Sequence, residues 1–164
     1  MKLPNHTVCT STPSPLGPIT LAAAGEKLVG VWFEAQAHRP DLSGCAKASG
    51  HAVLERAARQ LAEYFAGQRR QFELPLDLSS GTAFQQKVWQ ALLAIPHGQT
   101  CSYKTLSSTI GQPAAVRAVG GAVGRSPLRI IVPCHRVVGA GGSLTGYAGG
   151  LQRKAALLQL EGAL

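Results

Sequence analysis

Apolar and polar positions divide the chain into a β-rich first part and a helical second part. Ile19-Thr20-Leu21-Ala22-Ala23 follows the turn cluster Ser14-Pro15-Leu16-Gly17-Pro18. Leu28-Val29-Gly30-Val31-Trp32-Phe33 follows the turn Gly25-Glu26. Such runs between turn residues predict two strands of a small antiparallel meander. Residues 35–50 are polar and predict a loop. Val53, Leu54, Ala57, Ala58, Leu61, Ala62 and Phe65 recur at helical spacing and Gly67 supplies a stop, so a helix is predicted over 51–66. Leu74-Pro75-Leu76-Asp77-Leu78 predicts an extended run leading to Ser79-Ser80-Gly81, where a domain boundary is placed.

Beyond that boundary the period changes. Thr82 is a candidate N-cap for Phe84–Ile95, in which Phe84, Val88, Leu92 and Ile95 form one stripe. Pro96-His97-Gly98 stops it. Ser102 caps a predicted short helix, Tyr103–Ile110, ended by Gly111. Pro113 opens a second, Ala114–Val123, ended by Gly124. Two short helices around a Gly-containing turn predict a helix-turn-helix. Ile130-Ile131-Val132 predicts a short buried strand before Pro133-Cys134, and Gln152–Leu160 a final helix. The fold class is α+β: residues 1–78 as a sheet-plus-helix domain, and 79–164 as a mostly helical one.

The 164 residues carry 45% hydrophobic positions, enough for a core. No apolar run approaches the ~20 residues a membrane span needs. The residues from Met1 to His6 lack the apolar stretch of a signal peptide, and Cys9, Cys45, Cys101 and Cys134 show no CxxC. A cytoplasmic protein with reduced cysteines, not associated with a membrane, is expected. Cys9, Cys45, His38 and His51 fit no standard zinc spacing, so no metal site is expected.

Charge sharpens the picture. Residues 1–77 hold eight Lys and Arg against seven Asp and Glu, whereas residues 78–164 hold eight against Glu161 alone. A region nearly stripped of carboxylates is the footprint of a polyanion binder, nucleic acid first among them.

Ile130-Ile131-Val132-Pro133-Cys134-His135-Arg136-Val137 places a cysteine beside a histidine and a cation. Thiolates are nucleophiles, and a neighbouring base or cation activates them. A cysteine that merely packs is the other reading. Neighbours on an extended strand face opposite ways, so contact between Cys134 and His135 requires a turn or a bridging water.

The segment from Pro133 to Val137, with its β-branched lead and trailing Gly139, resembles the active-site signature of the O6-alkylguanine-DNA alkyltransferases, also called methylated-DNA–protein-cysteine methyltransferases. Thr82-Ala83-Phe84-Gln85-Gln86-Lys87-Val88-Trp89, Ile95-Pro96-His97-Gly98, Ser102-Tyr103 and Ala115-Val116-Arg117-Ala118-Val119-Gly120 are similar to further family segments. So are Thr145-Gly146-Tyr147-Ala148-Gly149-Gly150, and Arg153-Lys154 followed by Leu157-Leu158-Gln159-Leu160-Glu161-Gly162. Ser14-Pro15-Leu16-Gly17 and Tyr64-Phe65-Ala66-Gly67 extend the likeness, more weakly, into the first domain, for which the resemblance implies a ribonuclease-H-like fold.

The resemblance implies direct repair. Alkyl groups pass from O6-alkylguanine in duplex DNA, with O4-alkylthymine as a further candidate, irreversibly to Cys134. His135 acts as base through a water, and Glu161 orients His135. Arg117 fills the hole left by the flipped base, on a helix whose Ala118 and Gly121 approach the minor groove closely. Tyr103 turns the adjacent phosphate. Val137, Tyr147, Ala148 and Lys154 belong to the substrate pocket; Ala148 donates its backbone N–H to O6. The expected partner is double-stranded DNA, bound by a monomer without a cofactor. One position departs from the family pattern: Ser126 precedes Pro127 in the turn before the active-site strand, where the family usually has Asn. A damage-binding module without transfer and an unrelated Cys-His hydrolase are the rival readings.

Overall fold

The computed structural model describes residues 2–164; Met1, counted in the first domain, lies outside them. Four strands, β1 (Val8–Thr12), β2 (Ile19–Ala24), β3 (Lys27–Phe33) and β4 (Ala46–Lys47), form a sheet in the order β3-β2-β1-β4. The first two pairings are antiparallel, and β4 joins β1 in parallel. The two predicted strands are present. β1 and β4 are additions, and β4 falls inside the segment expected to be loop. β1 was invisible because Val8-Cys9-Thr10-Ser11-Thr12 carries only two apolar residues; pairing with β2 makes it a strand.

Helix α1 (Ala52–Phe65) packs on one sheet face, burying Val53, Leu54, Ala57, Leu61 and Tyr64 against Ile19, Leu21, Leu28 and Val31. Cys9, Ala22, Val29 and Trp32 form a smaller cluster on the other face.

The second half holds α2 (Ala83–Leu92), β5 (Cys101–Ser102), α3 (Tyr103–Thr109), α4 (Val116–Gly124), β6 (Val137–Val138) and α5 (Leu151–Leu160). Thr82 caps α2 in a reciprocal box with Gln85. The Ser102 hydroxyl caps α3 by accepting from the Thr105 N–H at 3.0 Å. The Trp89 Nε1–H donates to the Ala122 carbonyl at 2.8 Å and locks α2 to α4.

Two expectations are corrected. α4 begins at Val116 rather than Ala114, because residues 112–115 are spent on a turn closed by Ala115 N–H to Gln112 O. Ile130–Val132 is not a strand. The Ile131 N–H bonds Arg129 O and the Val132 N–H bonds Leu128 O, which closes a tight turn with Ile130 at φ 71°. Positive φ in a β-branched residue is strained. The strand pairing expected there goes instead to β6, parallel to β5.

β3 ties the two halves together. Within the first half, its Leu28 exchanges backbone hydrogen bonds with the Pro75–Asp77 segment. Its Val31 donates to Pro127 O at 2.8 Å and accepts from the Arg129 N–H at 3.0 Å. One continuous core cluster runs from Ile19 to Leu157.

Candidate active site and DNA-binding face

The turn at 128–131 delivers Cys134 to the start of a 3-10 turn, Cys134–Arg136, so consecutive side chains are not forced to opposite faces. Cys134 is 1% exposed and His135 is fully buried. His135 Nε2 lies 2.8 Å from Glu161 Oε2, at the C-cap of α5. Against a carboxylate, Nε2 is the donor, which leaves the lone pair on Nδ1. That Nδ1 is buried without a partner.

Glu161 is more heavily engaged than the sequence suggested. It also accepts from Arg136 Nε at 2.8 Å, Arg136 Nη2 at 3.0 Å and Tyr64 Oη at 2.7 Å. Burial would raise its pKa, but the hydrogen bonds from His135, Arg136 and Tyr64 outweigh it and hold the carboxyl far below its ordinary range. Burial pushes His135 down, against the upward pull of Glu161. A neutral imidazole beside a firmly ionised carboxylate is a poised base.

Tyr64 and Arg136 were not identified from sequence as site residues. Tyr64 comes from α1, 97 positions from Glu161, and no local pattern encodes that meeting. Arg136 lay inside the quoted motif; the missing signal was that a cation there needs a buried anion.

On the other side of Cys134 stands Arg129, also 1% exposed and also missed. Its Nη1 donates to Cys134 Sγ at 2.9 Å and its Nη2 to the Gly124 carbonyl at 2.7 Å, while its guanidinium lies 5.6 Å from the Tyr147 ring centroid. Tyr147 Oη and Arg129 Nε are buried without partners. Val137 is buried in β6. Lys154 is fully buried and donates to the carbonyls of Val137, Thr145 and Gly146, pinning the 145–147 loop over the site. Burial lowers its ammonium to about 8. The Ala148 carbonyl accepts from the Ala37 N–H, which fastens this loop to the first half. Gly149 permits the fold-back: a Cβ there would lie 2.6 Å from the Tyr147 ring.

Ser126 is buried, and its Oγ accepts from the Leu128 N–H at 3.5 Å, the outer edge of hydrogen-bond range. Tyr103 is half-buried, its hydroxyl donating to Thr145 O at 3.2 Å.

α3 and α4 are packed together, with Tyr103 against Gly120. Val119, Ala122 and Val123 face inward, which leaves Arg117, Ala118 and Gly121 exposed along the outer face of α4. Of the eight cations after residue 77, Arg129, Arg136 and Lys154 are buried. Arg153 bonds the Leu16, Ala35 and Gly149 carbonyls and lies over Phe33, fastening α5 to the first half. Lys87, Lys104, Arg117 and Arg125 are the four left exposed, all on or next to α2–α4. The charge surplus read from the sequence therefore shrinks as a surface and concentrates on the α2–α4 side.

Among the described residues no group of three or more His, Cys, Asp or Glu gathers as a metal site, and no helix is long and apolar enough to cross a membrane.

Comparison with known proteins now decides the family. The ribonuclease-like domain of 6-O-methylguanine DNA methyltransferase matches residues 7–78, and the DNA binding domain of the same family matches 83–163. The chain belongs to the methylated-DNA–protein-cysteine methyltransferases. The methylated-DNA–protein-cysteine methyltransferase of Mycobacterium leprae is 49% identical over 153 residues, covering 93% of this chain and 91% of that protein. The enzyme of that name from Methanosarcina acetivorans is 46% identical over 149 residues, covering 91% of this chain and 94% of that one. The crystal structure of Mycobacterium tuberculosis OGT in complex with DNA superposes with a TM-score of 0.87 at 48% identity, covering 93% and 91% of the two chains. The expected α+β class, with a ribonuclease-like first part and a DNA-binding second part, is thereby established.

Proposed function

We propose that this chain repairs duplex DNA by moving the alkyl group of O6-alkylguanine onto Cys134, once per molecule. The observation that carries the reading is the Cys134–His135–Glu161 arrangement beside an α4 face built of Arg117, Ala118 and Gly121. The thiol proton passes to His135 Nδ1 through a water, and Glu161 stabilises the imidazolium. Sulfur then attacks the alkyl carbon. A C–S bond forms as the C–O6 bond breaks, and the departing guanine anion regains a proton. The thioether is not hydrolysed, so each protein acts once.

Access to a base in a duplex requires extrusion, costing a few kcal/mol. α3 and α4 serve as a helix-turn-helix whose small-residue face enters the minor groove, with Arg117 occupying the vacated stack. Tyr103 turns the adjacent phosphate once its bond to Thr145 is given up. Val137, Tyr147, Ala148 and Lys154 enclose the base. Residues 1–78 and 79–164 act as scaffold and catalytic unit of a cytoplasmic monomer. The DNA complex of the tuberculosis relative supports docking on a nucleic acid.

Incubation with duplex DNA carrying O6-methylguanine, followed by mass measurement, tests the reading. One methyl is expected on Cys134, none in Cys134→Ser, and DNA binding retained in that variant. Methyl transfer by Cys134→Ser, or tight binding by the parent without a mass change, overturns it. Arg117→Ala should lose flipping on duplex DNA yet still react with free O6-benzylguanine; equal slowing of both reactions removes Arg117 from the flipping role.

A further inference from the structure

Cys9 and Cys45 stand together on the sheet face away from α1, and nothing in the repair reaction uses them. β1 pairs with β4 at Val8 and Ala46, and the two cysteines flank that pair. Cys45 Sγ donates to the Thr7 carbonyl at 3.4 Å, and Cys9 Sγ approaches the Cys45 carbonyl at 3.8 Å. Both are free thiols; Cys9 is 9% exposed and Cys45 is half-buried. Together they line a cleft of about 460 Å³. Arg39 and Lys47 line it too, both exposed, and no carboxylate is among the lining residues. The Thr20 hydroxyl holds Arg39 there, accepting from Nη2 at 3.0 Å. Burial, and then the adjacent Cys9 sulfur, push the Cys45 thiol up to about 11. A thiol kept protonated exchanges slowly, so the cleft must gather its co-reactant rather than activate the sulfur.

Two adjacent thiols beside two cations suit a small disulfide that carries carboxylates. We propose that Cys9 and Cys45 form an exchange site for an anionic low-molecular-weight disulfide, which closes them into a bond stapling the 35–47 loop to the sheet. Cys45, the more accessible, loses its proton and attacks one sulfur of the incoming disulfide. A mixed disulfide forms and one thiolate departs. The Cys9 sulfur, on losing its own proton, attacks Cys45 Sγ, and the second thiolate departs as the Cys9–Cys45 bond closes. The two protons released by the protein go to the two thiolates. The protein is oxidised by two electrons and the small disulfide is reduced by two. In reducing surroundings the pair stays as thiols.

Incubation with glutathione disulfide, an anionic probe, and with 2-hydroxyethyl disulfide, a neutral one, followed by peptide mapping without reduction, tests the site. Both should give a Cys9–Cys45 cross-linked peptide in the parent. The melting temperature should then rise by roughly 5–15 °C, because the bond closes a loop between residues 36 positions apart. Cys9→Ala should instead accumulate the mixed disulfide on Cys45; the parent carries the cross-link test whether or not that variant folds. Replacing both cations, Arg39→Gln with Lys47→Gln, should slow the glutathione disulfide reaction relative to the neutral one by roughly threefold or more at low ionic strength, with the difference fading in high salt. A parent that forms no cross-link, or stops at the mixed disulfide on Cys45, overturns the exchange site. A rate ratio unchanged in the doubly substituted variant overturns the anionic class of the co-reactant.

Discussion

The two sides of His135 are built on opposite principles. Behind it, Glu161 accepts four hydrogen bonds, one from Tyr64 on α1 and three from His135 and Arg136 of the 3-10 turn. In front of it, His135 Nδ1, Arg129 Nε and Tyr147 Oη are buried and unpartnered. Buried polar groups normally find partners, and each exception calls for an explanation. The back is a satisfied network that fixes one imidazole orientation. The front is left open to what enters, a water and the alkylated base in the proposed mechanism. The protein thus places its rigidity where geometry must be held and its unmet hydrogen-bonding capacity where the proposed mechanism brings the substrate.

Breaking the satisfied side should cost most. Glu161→Ala leaves a buried imidazole and a buried guanidinium without their anion. Truncating one partner of a buried ion pair costs about 3–5 kcal/mol. Urea unfolding should show that loss, and transfer should fall by roughly 100-fold or more as the oriented base is lost. An alanine variant that keeps near-parental stability would show that the network is ornamental and the comparison empty.

Acid reaches the same network without mutation. Burial lowers His135 from its ordinary 6.5, so as pH falls below that value the unfolded state takes up a proton that the folded state refuses. Stability then falls with pH. Glu161 is depressed from 4.5, so its contribution is complete above 4.5 and is lost as pH drops toward its folded value. Thermal melts from pH 7 to 3 should therefore decline in two stages, and Glu161→Gln should remove the second. A flat profile across that range would contradict both directions.

Legibility followed sequence separation. The helix α1, the Thr82 and Ser102 caps and the stripe on α2 are local, and their spacing announced them. β1 and the Ile130 turn were hidden because their geometry is imposed by distant strands: β2 shapes the first and Val31 of β3 pins the second. The site divides in the same way. Cys134 and His135 are adjacent and were visible, whereas Tyr64 meets Glu161 across 97 residues. Arg129 and Arg136 looked like surface charge because composition cannot say which cations fold inward. Four of the eight cations after residue 77 stay exposed, so the salt dependence of DNA binding should be shallow, with a log–log slope near −0.9 for each of those that contacts a phosphate.

Tyr64→Phe probes whether the first half takes part in the chemistry. It removes one of four bonds to Glu161 and leaves the ring packed in the core. A hydrogen bond to a charged group is worth about 1.5–3 kcal/mol. Stability should drop within that range and transfer should slow severalfold, less than in Glu161→Ala because His135 and Arg136 remain. Unchanged transfer would confine α1 to a supporting role.

The smallest effect is expected at Ser126, on the open side. From the sequence alone, serine in place of the usual asparagine threatens the bracing of the turn that leads to Cys134. In the fold that turn is held chiefly by main-chain bonds: Val31 N–H to Pro127 O at 2.8 Å and Arg129 N–H to Val31 O at 3.0 Å. The Ser126 hydroxyl adds one contact at 3.5 Å, too long to contribute much. Asparagine would gain hydrogen-bonding capacity but must fit where serine is already 1% exposed, and overpacking opposes that gain. Ser126→Asn should therefore shift stability by less than about 1 kcal/mol, which is roughly 2–4 °C in melting temperature for a chain of this size. Ser126→Ala should cost less still. A gain of many degrees in the asparagine variant, with faster transfer, would return the bracing to residue 126 and show that β3 does not hold the turn by itself.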